Sequence, residues 1–401
     1  MDAGTVKRKY NILYLDHGAK LIGGGQVNTL SLIKELDRNI FIPMVVSSKE
    51  NVFTEEARNY GVAVDILSFS DSITTLYRSS IKYDPISLIR YGQAFVLVIW
   101  HVYRYIKDHK VDIVHPCDNI SRIAGGVAAR MCGVPAVCHI TDDFENTITN
   151  RILKNVILWA MSYILPVSDK VGQFFSVQEV IPAKVVTVYT GIDIDLLESS
   201  VSRMDVRSEF GIKENELIFG IIGLLIPIKG HRELFNALAL LKEETAIPFR
   251  CIAIGDGPEL ESLQRLTENL SIGENVIFAG YRNEINKIIR GIDILVAPSH
   301  SEASSRVILE AGAVGIPAVG TRTGGIPEMI EENRTGLLVP VGDVIALKNA
   351  MKTMLDVDIR KTMGDAAKKR IRKLFCNKLI TRKVENIYLR ALSESSLRGH
   401  G

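Results

Sequence analysis

Short apolar runs closed by turn residues recur along this chain, separated by amphipathic stretches. Asn11–Leu15, Phe41–Ser47, Val62–Leu67, Ile113–His115, Ala136–Ile140, Tyr163–Ser168 and Val185–Val188 read as strands, because an apolar run of about four to eight residues suits a strand buried on both faces. Helical spacing lies between them: Val27, Leu30, Ile33 and Leu36 share one face. From Leu196 to Asn215 the chain turns polar and loses its period, so this stretch reads as a linker. The pattern then restarts with Leu217–Ile222, Arg250–Gly255, Val276–Gly280 and Ile292–Ala297, and after Val344 it is helical to the end. At 401 residues the chain exceeds what one core usually serves. The alternation predicts an α/β protein with two doubly wound parallel sheets, whose ligands meet the carboxyl ends of the strands.

The residues at those ends therefore carry the argument. In Ala297–Glu328, a strand runs into the loop Pro298–Ser305 with Glu302 in it. A helix follows, capped by Ser304 or Ser305 and carrying Arg306, Val307 and Glu310. Gly315-Ile316-Pro317 stops it, Ala318-Val319 begins another strand, and Gly324-Gly325-Ile326-Pro327-Glu328 makes a second loop. Two such loops side by side present backbone N–H groups and helix N-termini to a phosphate-bearing ligand. Lys229 closes the loop that begins at Gly223 and precedes a helix, so its ammonium and the helix dipole can meet one diphosphate. Arg306 and Glu310 are also spaced i, i+4, which makes a helix-surface ion pair the competing reading. In the N-terminal half, Gly23-Gly24-Gly25 lets the backbone approach a ligand closely, and His139, Thr141 and Asp142 stand at a strand end.

Taken in this order, the two glutamates with seven residues between them, the Gly-x-Pro and the Gly-Gly resemble the retaining glycosyltransferases of family 4 (glycosyl transferases group 1). The resemblance implies the GT-B fold, with two Rossmann-like doubly wound parallel-sheet domains facing across a cleft. It implies residues 1–195 as an acceptor-side domain, 196–215 as a linker, 216–370 as a nucleotide-sugar domain, and 371–401 as a helix crossing back. It further implies transfer of a hexosyl-type sugar from a UDP- or GDP-sugar to a hydroxyl of a glycan or lipid-linked acceptor. Retention at the anomeric carbon is implied too, with no cofactor and no metal. Lys229 would neutralise the departing diphosphate, with Gly223 and the helix-terminal amides, and Glu302 would hold hydroxyls of the donor sugar. Glu310 would hold the ribose, with Ser304, Ser305, Arg306 and Val307 around it, and Arg282 would lie by the nucleobase. His139 would face the sugar or acceptor, shaped by Gly24 and Gly25. The chain departs from the pattern at Leu224, where relatives carry arginine; at Thr141, two positions after His139; at Thr190; and at Ala303-Ser304-Ser305.

Composition narrows this reading further. A net charge of +2 disfavours a nucleic-acid partner. Five cysteines without close pairs suggest reduced thiols in a cytoplasmic setting. Lys7-Arg8-Lys9 is followed by no signal core, and no run approaches the roughly 18 apolar residues of a membrane span. Lys368–Lys383 carries eight basic residues beside Ile371, Leu374, Phe375, Leu379 and Ile380. It reads as a solvated face, with an anionic membrane at the inner leaflet as the alternative partner. Asp193-Ile194-Asp195 reads as a boundary turn and not a metal motif. Three rival functions remain: a UDP-sugar 2-epimerase, a non-catalytic nucleotide-sugar-binding relative, and an NAD-dependent dehydrogenase. The missing GxGxxG disfavours the last.

Overall fold

The computed structural model describes residues 8–18, 23–67, 85–144, 147–176, 184–197, 203–282 and 284–398. It divides into two units. One comprises the chain to Val167, Val171–Gly191 and the chain from Asn377; the other comprises Ser168–Lys170 and Ile192–Cys376.

The first unit runs β1 (Tyr10–Asp16), α1 (Gly24–Glu35), β2 (Phe41–Ser47), α2 (Val52–Asn59), β3 (Ala63–Ile66), α3 (Pro85–Asp108), β4 (Ile113–Pro116), α4 (Asn119–Cys132), β5 (Val137–Ile140), α5 (Ile148–Ala160) and β6 (Tyr163–Pro166). Its sheet has the order β3-β2-β1-β4, parallel throughout. The parallel pair β5-β6 joins it through a bridge between Val114 and Ala136. The strand order reverses between β1 and β4. Right-handed crossovers therefore set α1 and α2 on one face and α3, α4 and α5 on the other. The expected strand Val185–Val188 makes only a single bridge, to Ile164. Its Val186 and Val188 amides donate to Ile164 and Pro166 carbonyls, but Pro166 has no N–H to return a bond.

In the second unit the order is β12-β11-β10-β7-β8-β9, again parallel. The stretch 196–215, expected to be a linker, contains α6 (Arg203–Glu209). Val206 is buried there, and the buried Arg207 guanidinium lies 3.6 Å from Asp293. Val206, Ile212 and this buried ion pair help hold the segment, too few apolar positions to announce a period. Then follow β7 (Leu217–Ile222), α7 (His231–Glu244), β8 (Phe249–Ile254), α8 (Leu260–Asn269), β9 (Val276–Gly280), β10 (Ile294–Ala297), α9 (Arg306–Ala313), β11 (Ala318–Thr321), β12 (Gly336–Val339), α10 (Val344–Thr353) and α11 (Val357–Leu374). The reversal falls between β7 and β10, which marks the ends of those two strands as the ligand edge.

The last helix, α12 (Asn377–Arg398), belongs to the first unit. Val384, Ile387, Tyr388 and Ala391 share a core with Ile12, Phe41 and Val45. The basic run Lys368–Lys383 thus straddles the break between α11 and α12. Ile371, Phe375 and Ile380 are buried while Lys369, Arg372, Lys373 and Lys378 are exposed. Most of that apolar face is covered, with Leu374 half-buried and Leu379 39% exposed, beside a basic surface that faces solvent. The five cysteines carry no disulfide.

Candidate active site

Three loops converge at the carboxyl edge of the second sheet. After β7 the chain passes Gly223 and makes a 3₁₀ turn, Pro227–Lys229, before α7. After β10 comes the loop with Glu302, and after β11 the loop with Gly324-Gly325. Backbone bonds fasten them together. The His300 amide donates to the Ile228 carbonyl (2.8 Å), and the Gly325 amide donates to the Glu302 carbonyl (2.9 Å). Gly324 has φ +51°, and a Cβ at that position would overlap the Glu302 carbonyl oxygen. Only glycine permits both the left-handed backbone and this approach.

Within this frame the Lys229 ammonium donates to Glu302 Oε2 at 2.5 Å, and the Ser299 hydroxyl donates to the same oxygen at 3.4 Å. Both partners remain partly open to solvent, 27% and 16% exposed. Gly223 lies against the Lys229 aliphatic stem. Next to it Leu224 is 57% exposed, so a guanidinium at that position would have room.

One helix on, Arg306 Nε donates to Glu310 Oε1 at 2.7 Å. The ion-pair reading of Arg306 is the one observed. Burial raises the Glu310 carboxyl, and Arg306 offsets part of that rise. Ser305 occupies the N-cap position of α9, yet its hydroxyl makes no cap bond; its amide donates to Met329 Sδ. Ser304 and Val307 flank it, half-buried. The N-terminus of α7 begins at Gly230 and also has no side-chain cap. Neither helix is capped by the side chain of its own N-cap residue, and a helix N-terminus is a place where an anion can bind.

Arg282 follows β9 at the carboxyl edge of the same sheet. Its Nε donates to the Ala279 carbonyl, its guanidinium pairs with Glu209 at 3.1 Å, and it sits over Phe210 at 5.7 Å, with the side chain 40% exposed. Asn283, expected beside it, lies outside the described residues. Asp193 accepts from the Leu196 amide at 3.1 Å, as a turn residue at the start of a short helix does.

His139, Gly24 and Gly25 belong to the first unit. Gly24 and Gly25 form the first turn of α1, and a Cβ on Gly25 would press on the Thr141 hydroxyl. His139 is buried, and its Nδ1 shares a hydrogen bond with His115 Nε2 at 3.1 Å. His115 Nδ1 in turn meets the Tyr388 hydroxyl at 2.6 Å, and that hydroxyl meets Tyr14 at 3.2 Å. Burial, and then the Arg122 guanidinium, push His139 down to about 4. It is therefore a neutral imidazole, with Nε2 unpaired. Arg122 is buried too, donating to the His139 carbonyl at 2.7 Å and to Asp142 at 3.0 Å.

The sequence reading missed one cluster. Asp16 and His17 at the end of β1 and Asp118 at the end of β4 bring ligand atoms within 4.8 Å of one another, at the reversal of the first sheet. Their carboxylates are committed to protein donors: Asp16 to Gln26 and the Gly18 amide, Asp118 to the amides of Ile120 and Ser121. Burial opposes ionisation of Asp118, but His17 and Ser121 outweigh it and hold that carboxyl below its usual range. The strand-end positions were the available signal; their convergence follows only from the strand order.

Comparison with known proteins agrees with this architecture. The Anabaena protein HepE, solved in complex with UDP, superposes with a TM-score of 0.78 over 94% of this chain and 99% of its own, at 21% identity. A glycosyltransferase from Rickettsia africae gives a TM-score of 0.80 over 96% and 99%, at 20% identity. In sequence, the N-acetyl-alpha-D-glucosaminyl L-malate synthase of Bacillus anthracis is 31% identical over 209 residues, 52% of this chain and 54% of that protein. The UDP-Gal:alpha-D-GlcNAc-diphosphoundecaprenol alpha-1,3-galactosyltransferase of Escherichia coli is 25% identical over 282 residues, 67% and 73%. The chain thus spans about half the length of the first of these relatives and nearly three quarters of the second. Residues 22–196 match the model for Glycosyltransferase Family 4, and residues 202–370 match that for Glycosyl transferases group 1. With both models satisfied in succession and the fold of solved members reproduced, this chain belongs to the family 4, group 1 glycosyltransferases of the GT-B fold.

Proposed function

We propose that this protein transfers a hexosyl-type sugar from a nucleotide-diphosphate sugar to an acceptor hydroxyl, retaining the anomeric configuration and using no metal ion. One observation carries the reading: Lys229 and Glu302 meet at the reversal of the second sheet, beside two helix N-termini without side-chain caps. Loss of a nucleoside diphosphate demands a cation and aligned amides where charge develops. Lys229 supplies the first and the first turns of α7 and α9 the second. Glu302 then binds hydroxyls of the donor sugar, and Glu310 binds the ribose as Arg306 turns to the diphosphate in place of the arginine absent at position 224.

UDP is the favoured nucleotide, since HepE binds it and the E. coli relative is named for UDP-Gal. The acceptor is a glycan or a lipid-linked glycan, following the diphosphoundecaprenol in that relative's name. His139, held neutral, serves the acceptor side as a hydrogen-bonding group and not as a charged acid.

Thermal shift with UDP, GDP and ADP, with and without Mg²⁺, tests the binding half. One diphosphate raises the melting temperature without metal, because a ligand that binds only the folded state stabilises it. Stabilisation only by the metal complexes overturns the metal-free mechanism. Hydrolysis or transfer of the matching nucleotide sugar tests the catalytic half, and none in the wild type would favour a non-catalytic relative.

A further inference from the structure

Transfer to a hydroxyl releases a proton, and the groups at the carboxyl edge of the first sheet differ in their fitness to take it. Three carboxylates there are occupied. Asp16 Oδ1 accepts from the Gln26 side chain at 2.9 Å and Oδ2 from the Gly18 amide at 2.8 Å. Asp118 accepts from the amides of Ile120 and Ser121 and from the Ser121 hydroxyl. Asp142 takes the Arg122 guanidinium at 3.0 Å. His139 has Nδ1 engaged by His115, and burial, then Arg122, push it down to about 4, too weakly basic for work near neutral pH.

His17 is placed differently. It follows the last residue of β1, beside the reversal between β1 and β4, the crevice in which an open parallel sheet takes its ligand. Its Nδ1 lies 3.1 Å from Asp118 Oδ1, its backbone amide donates to Asp118 Oδ2 at 3.0 Å, and its carbonyl accepts from the Ser48 hydroxyl. Ring and backbone are thus both held. An ionised carboxylate only accepts, so the proton sits on Nδ1 and the lone pair on Nε2. Among the described residues no protein group bonds Nε2, and the side chain keeps 20% of its surface open. Burial works against charge on this ring, but the Asp118 hydrogen bond and charge, with the charge of Asp16, outweigh it and raise the group above its ordinary value. Among the described residues these two carboxylates are the charged groups that act on it.

We infer that His17 is a catalytic base of the transfer, taking the acceptor hydroxyl's proton at Nε2, and that Asp118 is the positioning residue that points it. This rests on the transfer reading above. The acceptor O–H bond breaks and its proton passes to Nε2. The oxygen's electron pair bonds the anomeric carbon, the bond from that carbon to the diphosphate oxygen breaks, and the diphosphate leaves with those electrons. The imidazolium then gives its proton to the diphosphate or to solvent, which restores the neutral ring. Proton removal leaves the face of attack to the placement of the donor, so it is compatible with retention.

Nucleophiles that do and do not carry a proton separate this role from a structural one. The full chain is given UDP-glucose, UDP-galactose or GDP-mannose in water, with and without sodium azide, whose anion attacks without losing a proton. His17→Ala and His17→Gln slow hydrolysis by about 10²–10⁴-fold, with nucleoside diphosphate affinity and melting temperature unchanged. Azide restores formation of the glycosyl azide to the wild-type rate. In the wild type, log kcat for hydrolysis falls as pH drops through the His17 ionisation. Asp118→Asn, which can still cap its helix, moves that limb to lower pH and lowers kcat with KM little changed. Hydrolysis by folded His17→Ala at the wild-type rate overturns this inference alone, and so does an equal loss with water and with azide. A wild type that turns over none of the three nucleotide sugars, with or without azide, overturns the transfer reading and this inference with it.

Discussion

The Lys229 ammonium sits 2.5 Å from Glu302 Oε2, so the cation expected at the diphosphate is already neutralised by the carboxylate expected at the sugar. A bound nucleotide sugar must divide this pair, the diphosphate taking the ammonium and the sugar hydroxyls taking the carboxylate. Lys229→Ala lowers kcat/KM by about 10²–10³-fold, the scale for losing one preorganised electrostatic contact. Glu302→Gln has the opposite effect on binding, tightening UDP a few-fold because Lys229 no longer has a competitor, while transfer falls. Calorimetric titration of UDP and initial rates on both variants separate the two effects.

Leu224→Arg follows from the 57% exposure of that side chain, next to Gly223 and Lys229. A guanidinium there adds a charge-assisted bond worth about 1.5–3 kcal/mol. The expected outcome is roughly tenfold tighter UDP binding or better, with unchanged melting temperature in the absence of ligand. No change in Kd would show that position 224 points away from the diphosphate.

Gly324→Ala tests the joint between two site loops. The left-handed backbone and the overlap with the Glu302 carbonyl both oppose a methyl group. Strain of this kind costs on the order of 1–3 kcal/mol. The variant melts several degrees lower and loses activity beyond what its folded fraction explains, because Glu302 moves with its backbone.

His139 gives stability a pH dependence. The unfolded chain protonates this imidazole near its ordinary value of 6.5, the folded chain only near about 4. Between those values the unfolded state binds more protons, so stability falls as pH drops from 6.5 towards 4, by about 3 kcal/mol in all. Urea midpoints at pH 7.5, 6 and 5 should fall more steeply in wild type than in His139→Asn. Parallel slopes would place the proton uptake elsewhere.

Much of this was legible in the chain because strand runs and their end residues are local signals. Lys229, Glu302, Arg306 and Glu310 could be named, since a loop after an apolar run and before a helical period has only one place to go in a parallel sheet. Their pairing could not, because the Lys229–Glu302 bond depends on which strands are neighbours. Arg282 illustrates the same limit: its partner Glu209 lies on a helix that showed no period. The Asp16, His17 and Asp118 cluster joins residues about a hundred positions apart, brought together only when β4 pairs with β1.

Tyr388 closes the buried line of hydroxyls and imidazoles that runs through Tyr14, His115 and His139. The first unit is therefore completed by a segment the ribosome makes only after the entire second unit. During synthesis, the earlier-made half waits with an open groove along β1 and β4 while the later half can already fold. Truncation before Asn377 would strand that groove permanently, and the damage would surface first in the half of the protein farthest, in sequence, from the cut.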